Sequence, residues 1–307
     1  MTGLERLSLT GLRDDVTVTV IGGGATGVEL AGSVADLRNI ALATSYPEID
    51  RDRLHVVLIE QAPALLAPFH PALREYTRRQ LIKRGVDVRL GTAIREITPR
   101  QVVLADGSVL ASDVTVWAAG VTAPDAVGTW SLPQAAGGRI LTGPDLRVKG
   151  HDRIFAVGDV ALIEDQPLPQ LAQPALQMGK HAADQVRRLV RGQPTTPFRY
   201  RDKGIMATIG YRSAVVELPR RVRIHGTLAW LAWLALHLIT LLGGRNRISA
   251  LVNMSWRYLT WRRGGGLIVG DGMTGLTPPD APAGPVAPSP ATGHAGTDSG
   301  RGGPEPG

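Results

Sequence analysis

Val16–Ile21 reads VTVTVI, a polar–apolar alternation ending on two aliphatic residues, which predicts a buried strand. A turn rich in glycine follows, Gly22-Gly23-Gly24-Ala25-Thr26-Gly27, and then the helix-compatible run Val28–Ala35. His55–Glu60, HVVLIE, predicts a second strand. Pro71–Arg84 has helical spacing, with Leu73, Tyr76, Leu81 and Ile82 on one side and Gly85 as terminator. Val86–Leu90 alternates as a strand. Gln101–Leu104 and Val109–Leu110 flank the turn Ala105-Asp106-Gly107-Ser108. Asp113–Trp117 predicts a return strand closed by Ala118-Ala119-Gly120. This order is that of an α/β nucleotide domain carrying a small β-meander.

The pattern then loosens. Arg153–Asp159 predicts an apolar strand ending in Gly-Asp, and Ala172–Arg191 a helix with Lys180, Arg187, Arg188 and Arg191 toward its C-terminal half, as the helix dipole favours. Phe198–Leu218 predicts a hairpin around Asp202-Lys203-Gly204 and Tyr211-Arg212-Ser213. Gly226–Leu242 is the strongest apolar run; its 17 residues sit at the lower limit for a membrane span. Ile248–Arg263 predicts a second amphipathic helix. From Pro278 the chain is rich in Pro, Gly, Ala and Ser and is expected to be disordered. The expected organisation is an N-terminal lead (1–15), an α/β nucleotide domain (16–120), a less regular stretch (121–218), an apolar helical segment (219–270) and a tail (278–307).

The strand, glycine turn and helix fit the G-x-G-x-x-G dinucleotide fingerprint. Gly22 permits the tight turn, Gly24 lets the backbone approach a pyrophosphate, and Gly27 allows close helix–strand packing. Glu60 ends the second strand, where a carboxylate accepts ribose hydroxyls and repels a 2′-phosphate. Gln61-Ala62-Pro63 supplies no Arg, so NADH is expected rather than NADPH. Glu60 lies farther from the glycines than usual, the excess falling in a polar loop, Thr44–Arg53. The competing reading is a plain α/β turn with a solvated Glu at its end.

Composition narrows the chemistry. With 307 residues and no Cys, the chain excludes disulfide reductases, Cys persulfide chemistry and iron–sulfur clusters, so redox chemistry needs a bound cofactor. No metal site is expected, and Met1–Asp15 has no apolar core of a secretory signal. The net charge is +7, but its distribution says more: Leu218–Gly270 holds eight Arg, no Asp or Glu, and four of the six Trp. Such a segment points to an anionic lipid surface. Nucleic acid is not expected, because the Trp lie along apolar helices instead of alternating with basic residues in a stacking platform. A buried hairpin of core helices is the alternative.

The combination resembles the type II NADH:quinone oxidoreductases, single-chain flavoproteins that oxidise NADH at the membrane. The resemblance rests on GGGATGVELAG (Gly22–Gly32), VWAAGV (Val116–Val121), IFAVGDV (Ile154–Val160), LAQPALQMG (Leu171–Gly179), FRYRDKGIMATIG (Phe198–Gly210) and GGRNRISA (Gly243–Ala250). It implies a Rossmann-like fold with two dinucleotide domains and a β-meander, with 16–120 as the NADH-binding domain, 121–218 as the remainder of the FAD-binding domain with flavin- and quinone-side elements, and 219–270 as amphipathic membrane-anchoring helices. It implies FAD and NADH, a membrane quinone as acceptor, peripheral attachment to the cytoplasmic face of the cell membrane, and admits a homodimer. The family carries two glycine fingerprints, the FAD one at the N-terminus, whereas this chain opens almost directly on the NADH one. An N-terminally truncated or half protein is therefore expected.

The resemblance also implies residue roles. Gly22, Gly23, Gly24, Thr26 and Gly27 hold the NADH pyrophosphate and Glu60 the ribose. Ala119 and Gly120 lie beneath the nicotinamide. Gly158, Asp159 and Ala172 face the flavin, with Asp159 on its sugar-alcohol chain. Glu29 faces the nicotinamide–flavin region, Gln173 and Gln177 address the flavin edge and the quinone head group, and Lys203 lies at the flavin edge. Plainer readings stand beside these: Asp159 as a helix N-cap, Glu29 as a first-turn carboxylate favoured by the helix dipole, solvated Gln173 and Gln177, a surface Lys203. Two other functions compete: a flavin-dependent NADH oxidoreductase with a non-quinone acceptor, and a catalytically inactive NAD-binding membrane module.

Overall fold

The computed structural model describes residues 15–43 and 50–240, with four further positions at 244, 246, 249 and 252. Four parallel strands, β1 (Val16–Ile21), β2 (Leu54–Ile59), β3 (Val86–Arg89) and β7 (Val114–Trp117), form a sheet in the order β3-β2-β1-β7. The register aligns Ile21 with Ile59 on one side and with Trp117 on the other. Helix α1 (Ala25–Asp36) follows β1, and α2 (Pro71–Lys83) connects β2 to β3. The antiparallel meander β4 (Ile94–Thr98), β5 (Gln101–Leu104) and β6 (Val109–Ala111) then carries the chain to β7, on the far side of β1. The strand order therefore reverses at β1, which puts a crevice at the carboxyl ends of β1 and β7, where ligands bind in open α/β sheets.

The main core joins Val20, Val28, Ala31, Val56, Leu58, Leu73 and Leu81 to Ala207, Ile209 and Val215. The last three come from the hairpin β10 (Ile205–Gly210) and β11 (Ser213–Leu218), which packs over α1 and continues into β12 (Val222–Gly226). Gly32 makes this possible, because a Cβ there would run into the carbonyl oxygen of Ile209. Asp36, the last residue of α1, accepts from the Tyr211 amide at 2.5 Å and faces Arg84 Nε at 3.5 Å. The 121–218 stretch contributes to several buried clusters. β8 (Ile140–Thr142) pairs in parallel with β9 (Ala161–Ile163), and α3 (Ala172–Val190) covers a separate cluster of Leu146, Ile163, Met178, Ala182 and Phe198.

Several expectations change. Helix α1 begins at Ala25, not Val28, because its amides start pairing back to Gly24. Ile82 is exposed; the buried stripe of α2 is Leu73, Thr77 and Leu81, and the Thr77 hydroxyl is tolerated because it donates to the Leu73 carbonyl at 2.9 Å. Arg153–Asp159 is not a strand of a sheet: it makes one isolated antiparallel bridge, Arg147 with Phe155, then enters the short helical turn Gly158–Val160. The hairpin turns at Tyr211-Arg212, whereas Asp202-Lys203-Gly204 precedes β10. The Gly226–Leu242 run appears as α4 (Thr227–Thr240), and no helix among the described residues is long and apolar enough to cross a membrane. Ile248–Arg263, the lead 1–14 and the tail 278–307 lie outside the described residues, apart from positions 249 and 252.

Candidate functional site

The glycine turn is built by exclusion. Gly22 has φ +112° and its amide donates to the Ile59 carbonyl at 2.8 Å; a Cβ there would stand 2.6 Å from the Ala118 carbonyl oxygen. The turns after β1 and β7 thus touch through backbone alone. Gly23 is pressed against Leu65 and the Glu60 side chain, and Gly27 against the Gly22 carbonyl, so neither position has room for a side chain. Gly24 is the exception: nothing lies within 4 Å of its missing Cβ. It caps α1 with no side-chain hydrogen bond to the helix amides. An exposed glycine beside a bare helix N-terminus leaves N–H donors and positive dipole aimed at open space, the arrangement that suits a phosphate. Thr26 is exposed on the first turn of α1, and Ala119 and Gly120, the latter at φ +96°, are exposed on the opposite lip.

Glu60 stands just past the end of β2, half-buried. One carboxylate oxygen accepts the Gly23 amide and the other accepts the Ala62 amide at 2.7 Å. The side chain anticipated on the ribose is therefore also the clamp that fixes the glycine turn, a link the sequence pattern did not reveal. The plain reading, a solvated Glu, does not hold. Glu29 lies in the second turn of α1, not the first, so the dipole argument fails for it. Its Oε1 accepts the Thr208 amide at 3.0 Å and ties α1 to β10.

The remaining residues gather around α3. Gly158, at φ +73°, donates its amide to Met178 Sδ at 3.2 Å and sits against Ala175. Asp159 is exposed within the Gly158–Val160 turn; Val157 is the N-cap and no side-chain cap bond forms, so the capping reading fails as well. Ala172 opens α3 at an exposed position. Gln173 makes no side-chain hydrogen bond among the described residues. Gln177 is fully engaged: Nε2 donates to the Arg201 carbonyl and Oε1 accepts the Arg201 amide, both at 3.0 Å. Lys203 is exposed two residues further on, beside the turn in which Asp202 accepts the Gly204 amide at 2.8 Å. No hydrogen bond among the described residues joins the glycine-turn set to the α3 set.

Gln177 belongs to a longer row. Gln185 Oε1 accepts the Thr196 amide at 2.7 Å, His181 Nε2 meets the Thr196 carbonyl at 2.9 Å, and Arg188 Nε donates to the Pro194 carbonyl at 2.6 Å. Side chains on one flank of α3 thus strap the extended segment 194–201 along the helix. Their spacing of 4, 4 and 3 is readable in the sequence, but their backbone partners are not.

The sequence profile of the pyridine nucleotide-disulphide oxidoreductase family matches residues 3–179. The type II NADH:quinone oxidoreductase Ndh of Mycobacterium tuberculosis (strain ATCC 25618 / H37Rv) is 35% identical over 260 residues, covering 81% of this chain and 56% of the relative. NdhA of the same strain is 36% identical over 262 residues, covering 81% and 55%. The chain spans about half the length of the curated relatives it matches. Its fold is similar to that of NDH2 from Plasmodium falciparum, solved in complex with NADH, with TM-score 0.74 and 17% identity over 85% of this chain and 68% of that one. The fingerprint, the crevice behind it and these matches agree: the chain belongs to the pyridine nucleotide-disulphide oxidoreductase family, and its relatives within it are type II NADH:quinone oxidoreductases.

Proposed function

We propose that this chain is the NADH-handling part of a flavin-dependent NADH:quinone oxidoreductase that works at the cytoplasmic face of a membrane. One observation carries the reading: the empty space at Gly24, beside the uncapped N-terminus of α1, in the crevice where the strand order reverses. A pyrophosphate needs that combination of close backbone approach and free amides. The names of the relatives support NADH as donor and quinone as acceptor.

In this reading Gly22–Gly27 and α1 bind the pyrophosphate, and Glu60 holds the ribose while keeping Gly23 in place. Ala119 and Gly120 support the nicotinamide. Glu29, fixed by Thr208, orients the α1 side of the site. Gln173, with a free amide, addresses the flavin edge or the quinone head group. Gln177 acts through Arg201, and Lys203 supplies a cation nearby. FAD fits in part: Gly158 and exposed Asp159 suit the hydroxyls of its sugar-alcohol chain, and Ala172 lies at the head of the adjoining helix. No second G-x-G-x-x-G turn joins a strand to a helix among the described residues, and a flavin pyrophosphate requires one. When bound, the flavin accepts the electron pair of NADH and passes it to quinone. Cys-based disulfide chemistry, which the family's description mentions, has no residue to carry it here.

Membrane attachment is supported by α4. It buries Ala229 and Trp230 against the β-sheet but leaves Leu228 72% and Ile239 65% exposed, together with Leu231 and Leu236, and exposed Arg220, Arg221 and Arg223 precede it in the chain, the last ion-paired with Glu217 at 3.7 Å. Peripheral binding through apolar area plus about 1 kcal/mol per basic group near anionic lipid fits this face.

The test is turnover with a soluble ubiquinone analogue, with and without a separately produced flavin-binding half and anionic vesicles. Stoichiometric NADH oxidation and quinone reduction with the flavin half, and little without it, is expected. NADH oxidation that spares quinone but reduces oxygen contradicts the quinone assignment. The second reading, a catalytically inactive NAD-binding membrane module, is favoured by the partial fit to FAD. It predicts NADH binding with no turnover under any of these conditions.

A further inference from the structure

Leu66 combines two properties that seldom coincide. Its side chain is 1% exposed, in the main core with Val20, Val28 and Leu73, and its backbone lies in the left-handed region at φ +50°. A bulky L residue rarely adopts that conformation, which persists only where the surroundings dictate it. Here they do. The Leu66 carbonyl accepts the Phe69 amide at 2.8 Å, and Arg74, reaching from α2, donates to the carbonyls of Ala67 and Phe69. The turn is braced by core packing at its start and by a guanidinium at its end.

The strained residue spends its amide on the glycine turn: Leu66 N–H donates to the Gly23 carbonyl at 2.8 Å. Gly23 is thus held at both main-chain groups, the amide by Glu60 and the carbonyl by Leu66, while Leu65 and Glu60 fill the space a side chain would need. The second hold has a directional consequence. The Gly23 carbonyl and the Gly24 N–H belong to one planar trans peptide and point opposite ways. With the carbonyl turned onto Leu66, the Gly24 N–H faces away from the Leu66 amide. It has no partner among the described residues, and nothing lies within 4 Å of the missing Gly24 Cβ.

We propose that Leu66 is a positioning residue of the nucleotide site: its left-handed backbone turns its amide onto Gly23 and thereby aims the Gly24 N–H at a bound pyrophosphate. The claim rests on the functional reading above, in which Gly22–Gly27 hold the NADH pyrophosphate. Leu66 itself is buried and touches no ligand. A donor fixed before the ligand arrives loses no freedom on binding, so the strain at Leu66 serves affinity. Its role differs from that of Glu60, which meets the ribose and holds the peptide on the other side of Gly23.

The test compares substitutions in the full chain that separate packing from backbone conformation. Leu66→Met and Leu66→Ile both keep side-chain volume, but only Ile is branched at Cβ and resists the left-handed region. Leu66→Gly enters that region freely and leaves a core cavity. Denaturation midpoints are measured, and NADH is titrated calorimetrically into chains folded at the working temperature. Expected is parental affinity in Leu66→Met, and affinity about tenfold weaker in Leu66→Ile, the loss of one well-aimed hydrogen bond to a charged phosphate. Leu66→Gly loses stability but keeps its NADH affinity within about twofold. In the free chain the Gly24 N–H residual dipolar coupling departs from the parental value in Leu66→Ile and not in Leu66→Met. Affinity that follows the midpoint across the three variants, instead of the backbone preference at position 66, makes Leu66 a packing residue and overturns the proposal. So does parental affinity or an unmoved Gly24 coupling in folded Leu66→Ile. Absence of NADH binding by the unmutated chain sinks the functional reading instead, and the Gly24 couplings still judge whether Leu66 aims that amide.

Discussion

Glu60 and Gly23 are joined through the Gly23 amide and the Glu60 carboxylate, whose second oxygen holds the Ala62 amide at 2.7 Å. Cofactor choice and loop shape therefore depend on one side chain. Glu60→Gln keeps the size, removes the charge and leaves one of the two amides without an acceptor. Its preference for NADH over NADPH is expected to fall about tenfold, the scale of one partly screened charge–charge contact. Its stability falls by about 1 kcal/mol from the unpaired amide. Titration of both nucleotides against mutant and unmutated chain checks this; equal affinities in the unmutated chain contradict the assignment.

Gln177 and Arg201 give a second expectation. Both amide atoms of Gln177 are spent on the Arg201 backbone, so Gln177→Ala frees the strap that leads to Lys203. In flavin-loaded protein the variant is expected to slow quinone reduction more than flavin reduction by NADH, with faster hydrogen exchange at Arg201. Stopped-flow kinetics separates the half-reactions. An equal effect on both sinks the idea.

Asp145 gives a third expectation, on acid stability. Burial pushes its carboxyl up, but the Thr195 hydroxyl at 2.6 Å and the Arg147 guanidinium and amide outweigh that and hold it below the ordinary value of 3.8. A carboxyl depressed in the fold stabilises above the unfolded value and loses that contribution as pH falls through the folded one. Stability is therefore expected to drop below about pH 3.8. Asp145→Asn should flatten that acid limb in denaturation midpoints measured across pH; an unchanged slope refutes the link.

Thr19 is fully buried in β1, and its hydroxyl has no hydrogen-bond partner. Thr19→Val keeps the shape and removes the unpaired group, so it is expected to stabilise the fold by about 1 kcal/mol. A lower denaturation midpoint in the variant contradicts this.

The nucleotide half was legible because its signals are local. VTVTVI, the glycine turn and HVVLIE each specify their element within a few residues, and the parallel order follows from the helices between them. The failures were non-local. Arg153–Asp159 has the composition of a strand, but a strand also needs a neighbour, and its outer edge has none among the described residues. For Glu29 the sequence offers a site role and a dipole-favoured carboxylate, but not its bond to Thr208, because nothing near it announces a partner 179 positions away. Ile82 fits the apolar stripe of α2 by spacing alone, yet the stripe turns through Thr77, whose hydroxyl is satisfied within the helix. Gln177 looked free for a ligand because backbone partners leave no mark in a sequence.

Gly24 tests the central claim most directly. No atom lies within 4 Å of its missing Cβ, and its φ of −71° is open to any residue. Gly24→Val should therefore leave stability within about 1 kcal/mol of the parent, while filling the space assigned to the pyrophosphate. Isothermal titration of NADH into both chains is the measurement. The account predicts binding by the unmutated chain and affinity at least about tenfold weaker in a normally folded Gly24→Val. Equal NADH affinity in the two folded chains would contradict it.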